Sequence, residues 1–279
     1  MSDARDPVEP RMRHSPEFDL IARVRDRLRS TREASPGGRS GRATVSIGIG
    51  DDAAVTVPPA GRGAIAVSVE GLVDGVGFRR RWCPPRSVGR KALGAALSDL
   101  AAMGATAGEA YVWLGVPPDF PDADCLALCD GLAELAGELG VAILGGDLTA
   151  APALSVSITV VGYGDSPEAL LGRGGAGPGD AVCVTGSFGG AAAGLMILEH
   201  PELAVGIDSE LRDSLVARQL EPSPRLESGI ALARAGASAM IDVSDGLGAE
   251  AEHLASASGL GIEIELDRVP VAVGVVEVA

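Results

Sequence analysis

Apolar positions along the chain switch repeatedly between a helical period and strict alternation, the pattern of interleaved helices and strands. After a polar stretch over residues 1–16, FDLIARVRDRL carries Phe18, Ile21, Val24 and Leu28 at helical spacing and predicts a short amphipathic helix. STREASPGGRSGR reads as a loop by its Ser, Gly and Pro content. TVSIGIG, AAVTV halted by Pro58 and Pro59, and AIAVSVEGLV read as strands. RSVGRKALGAALSDLAAMGA places Val88, Ala92, Leu93, Ala96, Leu97, Leu100 and Met103 on the core side of a helix. AYVWLGV follows as a strand, DADCLALCDGLAELAGELG as a helix closing near Gly140, and VAILGGD as a strand that stops at its own carboxylate.

LSVSITVVGYG alternates strictly and is expected to open a second sheet, which puts a domain boundary at 150/151. A Gly-rich linker, GRGGAGPGD, leads to strand AVCVTG, a helix over about 190–198, a polar segment ending in EPSPR, helix ESGIALARAG, strand SAMIDV, helix DGLGAEAEHLASASG and strand GIEIEL. The expected architecture is α+β, with domains over 17–150 and 151–279 behind a loose tail at 1–16.

Composition narrows the function classes. The 279 residues, 46% hydrophobic and 22% charged, suit a globular chain of about two ordinary domains. Thirty-eight acidic against 23 basic side chains give a formal charge of −15, which repels nucleic acid and attracts cations. With two Trp, two Tyr and four Phe, stacking platforms for bases are scarce. Cys83, Cys125, Cys129 and Cys183 form no C-x-x-C pair, so neither a zinc frame nor a redox dithiol is indicated. Cys125 and Cys129, four apart on one helix, read as core packing. The N-terminus is too polar for a signal peptide, and the uncharged run at 181–198 carries Gly186, Gly189, Gly190 and Gly194 with Thr and Ser, a poor membrane span. A reducing, cytoplasmic setting is expected.

Four segments end an apolar run on carboxylate: GIGDDAA with Asp51 and Asp52, ALSDLAAMGA with Asp99, ILGGDLT with Asp147, and MIDVSDG with Asp242 and Asp245. Such an Asp is costly to desolvate unless it is paired, hydrogen-bonded or metal-bound. Carboxylates without Cys or His select hard cations, Mg²⁺ above all, which commonly arrives with phosphates. Each also has a plainer role: Asp242 and Asp245 as caps of the helix near Gly246, Asp99 as a solvated edge or an acceptor for Ser98, Asp147 as a turn residue. GIGDDA at 48–53 fits G-x-G-x-x-A, with Glu70 about twenty residues on. That fingerprint needs a helix after its glycines, whereas AAVTVPP reads as strand and stop, so the dinucleotide reading is set aside.

GIGDDAA, SDLAAMGA, GGDLT, the R-x-G-A-x-P-G-D pattern at 173–180, VTG, EPSPR and IDVSDGL, in this order, resemble the thiamine-monophosphate kinase family. Its superfamily includes aminoimidazole ribonucleotide synthetase, selenophosphate synthetase and the hydrogenase-maturation dehydratase. The resemblance implies a two-domain aminoimidazole ribonucleotide synthetase-like fold. Its N-terminal domain binds ATP and metal and forms a homodimer through its sheet, and its C-terminal domain is an α/β sandwich. It implies ATP- and Mg²⁺-dependent phosphorylation of thiamine monophosphate to thiamine diphosphate, with no covalent nucleophile. Asp52, Ser68, Glu70, Asp99, Asp147, Asp242 and Asp245 would hold metal; Gly146, Asp147, Arg173 and Ser244 would contact ATP.

Departures accompany the matches. Val69-Glu70 stands where the family has Thr-Asp, Gly77 where it has a substrate-contacting His, Ala96 for Asn and Leu148 for Thr. The sequence ends at Ala279, before the family's G-G-E-D-Y-E-L segment, so the C-terminal domain is expected to be incomplete. Two alternatives stand beside the kinase reading: a paralogue with another phosphate or acyl acceptor, and a noncatalytic nucleotide-binding homologue.

Overall fold

The computed structural model describes residues 23–24, 26–27, 44–47, 55–57 and 63–279. The expected tail, most of the first helix, the loop after it, and Asp51 and Asp52 lie outside the described residues. Arg23, Val24, Asp26 and Arg27 are helical. Strands β1 (Thr44–Ile47) and β2 (Val55–Val57) pair antiparallel, so the stretch after GIGDDA does continue as strand.

The main sheet contains β3 (Ala64–Val73), β4 (Thr106–Val116), β5 (Ala142–Ala150) and β6 (Ser155–Gly164) in the order β3-β6-β4-β5. β6 runs antiparallel to both its neighbours, while β4 and β5 are parallel. Helices α1 (Pro85–Ala102) and α2 (Asp122–Leu139) pack on one another and on the sheet. Val88, Leu93, Leu97, Leu128, Leu132, Ile143 and Ile158 are fully buried between them. Cys125 and Cys129 are buried in the same core.

Two expectations are corrected here. The boundary at 150/151 does not exist, because β6 inserts between β3 and β4 and completes the first sheet. Its strict alternation records a central strand with one face under α1, the other face being less covered. Nor does β5 stop at its carboxylate: it runs on to Ala150, with Asp147 inside it.

Helices meet at backbone distance in this layer. A Cβ on Gly89 would lie 2.1 Å from the Leu128 carbonyl, and one on Gly131 only 1.9 Å from the Arg86 carbonyl. The α1–α2 crossing thus depends on two glycines that leave room for the facing main chain.

Beyond Gly164 the chain forms α3 (Gly190–Glu199), α4 (Ser209–Leu220), α5 (Leu226–Arg234), α6 (Leu247–Ser258) and the short α7 (Val275–Val278). Helix α4 falls in the segment read only as polar: Leu215 is its one buried residue, so the apolar stripe is too thin to see. Its start is fixed by Asp208, whose carboxylate accepts from the Glu210 and Leu211 amides at 2.9 and 3.3 Å.

The strands expected at AVCVTG, SAMIDV and GIEIEL are not paired among the described residues; only an isolated bridge joins Phe188 and Val271. Val182, Val184 and Val243 are exposed, so burial does not draw these segments into a ladder. The C-terminal part of the α+β chain therefore consists of helices and extended segments where a sandwich was expected.

Helix α5 joins this part to the first. Leu226 belongs to the main core, and a Cβ on Gly229 would lie 2.0 Å from the Ala101 carbonyl at the end of α1. At the other end of α1, Glu221 accepts from the Ser87 hydroxyl at 2.7 Å and pairs with Arg90 at 3.2 Å, and Lys91 donates to the Gln219 carbonyl at 2.6 Å. Among the described residues no helix is long and apolar enough to cross a membrane.

Candidate functional site

The two-residue period of β3 turns Ser68 and Glu70 toward the helix layer while Ile65, Val67 and Val69 face outward. Ser98 and Asp99 lie on the last turns of α1, over that strand. The Ser68 hydroxyl donates to Asp99, and the Ser98 side chain lies beside Asp242 of the C-terminal part, close enough to lower its pKa. Asp242 is held near this seam by its own segment, since the Met240 amide donates to the Gly172 carbonyl at 3.0 Å. One helical turn thereby links β3 to the 242–246 loop.

The electrostatics follow from that convergence. Burial raises the Glu70 pKa, and the negative charges of Asp99 and Asp242 raise it further against a lowering bond from the Gly71 backbone. Asp242 is raised by burial first; the Ser98 bond lowers it, but Asp99 and Glu250 push it up again. Three carboxylates from three segments share a region of negative potential, with hydroxyls as their near neighbours. Hard oxygen donors with uncompensated charge suit a divalent cation such as Mg²⁺.

The sign of the Asp242 shift gives a test. A carboxyl whose folded pKa lies above its unfolded value binds more protons when folded, so its contribution falls as pH rises through that window and is unfavourable at neutral pH. Asp242→Asn, which keeps an acceptor for Ser98, is expected to raise the thermal midpoint of the metal-free protein at pH 7, by less than about 1 kcal/mol in this half-solvated site. The gain should shrink as pH is lowered toward 4. A pH-independent difference between variant and parent would contradict this electrostatic assignment.

Not every expected residue converges. Asp147 lies opposite Trp113 in the β4–β5 register, on the outward face of the sheet, where it accepts from Thr149 at 3.1 Å. The cross-strand row Gly71–Ser157–Trp113–Asp147 shows that face to be the one opposite Ser68, Glu70 and Asp99. Gly146 sits against Val112, with no room for a side chain. Arg173 is exposed, its carbonyl accepting from Ser258 at 3.3 Å, and Asp245 is exposed on the 242–246 loop. Among the described residues no three His, Cys, Asp or Glu side chains are placed to hold a metal ion as they stand. A Cβ on Gly77 would meet Leu72 Cδ2 at 2.7 Å, so leucine fills the space beside it.

The sequence pattern missed Glu250, which is buried on the first turn of α6 and accepts from the Ser244 hydroxyl at 3.3 Å and the Asp245 amide at 3.1 Å. Its signal was an acidic residue in the first turn of a helix that follows a Ser-Asp loop. Ser98 had been weighed only as a donor to Asp99; it reaches Asp242 instead.

Models of AIR synthase related protein match this chain, the N-terminal domain over residues 50–163 and the C-terminal domain over 177–275. Thiamine-monophosphate kinase of Mycobacterium tuberculosis (strain CDC 1551 / Oshkosh) is 42% identical over 220 residues, 78% of this chain. The chain spans 62% of that relative's length. The crystal structure of thiamine-monophosphate kinase from Stenotrophomonas maltophilia K279a superposes with a TM-score of 0.78 at 34% identity, over 90% of this chain and 76% of its own. AaThiL complexed with AMPPCP and TMP superposes with a TM-score of 0.71 at 26% identity, over 92% of this chain and 75% of its own.

Proposed function

This chain belongs to the thiamine-monophosphate kinase family of AIR synthase related proteins, and from that premise we propose that it transfers the terminal phosphoryl group of ATP to the phosphate of thiamine monophosphate. An oxygen of the acceptor phosphate forms the new bond to the terminal phosphorus, the bond to the bridging oxygen breaks, and thiamine diphosphate and ADP leave. The observation that carries the reading is the Ser68–Asp99 hydrogen bond between β3 and α1, beside which Glu70, Asp99 and Asp242 lie close enough for Asp99 to raise the pKa of the other two across the seam of the two parts.

Ser68, Glu70, Asp99 and Asp242 are the residues that would hold Mg²⁺, with Asp52 and Asp245 as further ligands; Asp147, on the opposite face of the sheet, is left out of this group. Mg²⁺, when bound, offsets charge on the transferring phosphate oxygens. The chain's own contribution is positional: β3 and α1 fix two carboxylates rigidly, and the 242–246 loop brings a third. Gly146, Arg173 and Ser244 are assigned to the nucleotide, Arg173 as a forked donor to phosphate. The family complex holding AMPPCP and TMP supports both ligands.

A homodimer is part of the same reading. Ile65, Val67 and Val69 are 55, 60 and 63% exposed on the outer face of β3, and Trp113 is exposed on the same face. A second copy covering that stripe would also cover the face that carries Asp147, in keeping with a cytoplasmic, soluble enzyme.

The deciding assay follows ADP release from ATP with Mg²⁺, with and without thiamine monophosphate. Release that requires both supports the kinase; tight Mg²⁺-dependent ATP binding without turnover on that acceptor would move the chain to its alternatives. Within the binding step, Asp242→Asn is expected to weaken Mg²⁺-dependent ATP affinity by about tenfold or more, as for a lost charged ligand. Unchanged calorimetric affinity would remove Asp242 from the site.

A further inference from the structure

We propose that Glu250 is the positioning residue of the carboxylate site, acting through the geometry of its oxygen and not through its charge; this rests on the reading of Asp242, Ser244 and Asp245 as ligand-binding residues. Glu250 is 5% exposed, and Glu109 is the only other buried acid among the described residues. Glu109 is explained by a 2.6 Å bond from the Tyr163 hydroxyl inside the first unit. Glu250 is spent on the loop: a single carboxylate oxygen, Oε1, accepts from both the Ser244 hydroxyl and the Asp245 amide.

An ordinary N-terminal capping pair would not need this arrangement. In a capping box the acidic residue reaches back to the amide of the cap residue itself. Here the cap is Gly246, at φ +111°, and Glu250 reaches past it to Asp245 and Ser244. The bonds therefore tie down the segment before the helix, which carries Asp242 three residues upstream of Asp245. Asp242 in turn reaches Ser98 on α1. Two hydrogen bonds from the first turn of α6 thus hold the loop whose Asp242 lies beside Ser98 on the last turns of α1.

In the metal-free protein the charge of Glu250 only adds to the repulsion felt by Asp242. Taking a carboxylate out of water is expensive, and the two bonds to the 242–246 loop offset that cost. The reach of the side chain is then the quantity that matters.

Two substitutions separate reach from charge. Glu250→Gln keeps the chain length and an acceptor oxygen; Glu250→Asp keeps the charge but withdraws the oxygen by one methylene, about 1.5 Å, enough to break bonds of ordinary length. The first readout, independent of turnover, is amide hydrogen exchange of the 242–246 loop in the metal-free protein. Asp245 should exchange at least tenfold faster in Glu250→Asp and near the parental rate in Glu250→Gln. The second readout is the Mg²⁺ concentration for half-maximal ATP binding, expected to rise about tenfold in Glu250→Asp and to stay within about threefold in Glu250→Gln. The reverse order, with Gln impaired and Asp tolerated, would show that charge matters and overturn the proposal, as would parental exchange rates in both variants. If the parent binds no ATP while the exchange pattern holds, the functional reading fails and the positioning role of Glu250 survives.

Discussion

Asp99→Ala is expected to lower thiamine-monophosphate-dependent ADP release by about a thousandfold, the scale of removing one preorganised electrostatic group from a transferring site. Asp99 has the largest expected effect because it stands between the other two carboxylates: it raises both Glu70 and Asp242, and it receives the Ser68 hydroxyl. Its backbone belongs to a rigid, fully packed helix, so the loss falls on the ligand rather than on the fold. Far-ultraviolet circular dichroism and the thermal midpoint should stay close to the parent, since the removed group is a repelling charge. A variant that retains a tenth or more of the parental rate, with normal Mg²⁺ dependence, would place the reaction centre elsewhere.

Gly229→Ala should be among the most damaging single-methyl additions at the described residues, and the one nearest the site. The added carbon would start 2.0 Å from the Ala101 carbonyl and 2.8 Å from its carbon, both main-chain atoms that no rotamer change can move aside. Either α5 lifts from α1 or the end of α1 shifts, at a cost of about 1–3 kcal/mol, or roughly 2–10 °C in midpoint for a domain of this size. Because Ala101 is two residues beyond Asp99, the same displacement should disturb the site; an error near 1 Å can cost on the order of a hundredfold in rate. Gly137→Ala is the control: its Cβ would meet nothing within 4 Å on α2, so it should leave the midpoint equal or higher. Differential scanning calorimetry of the two variants decides the matter, and equal midpoints would refute the backbone-contact argument.

Much of this was legible in the chain. The apolar faces of α1 and α2 and the alternation of β3 and β6 announce themselves because burial on one side imposes the period. The site was half legible. Asp99 and Asp242 stand out as carboxylates at the ends of apolar runs, and they do meet. Asp147 has the same local pattern yet points to the other face, because parity along β5 depends on the register with β4, and register is a property of two strands at once. The strand order fails for a similar reason: nothing within LSVSITVVGYG says that it will slip between β3 and β4 rather than begin anew. Glu250 was hidden because its partners lie in a loop five and six residues upstream, across a glycine at positive φ.

Main chain lying directly on main chain at Gly89, Gly131 and Gly229 has a mechanical meaning. Where helices meet through side chains, one can slide past the other as rotamers exchange. Here there is no such lubricant between them, and α1 is gripped along its length, by α2 near its start and by α5 at its end. The two units should then move as one body, without a swinging hinge between them.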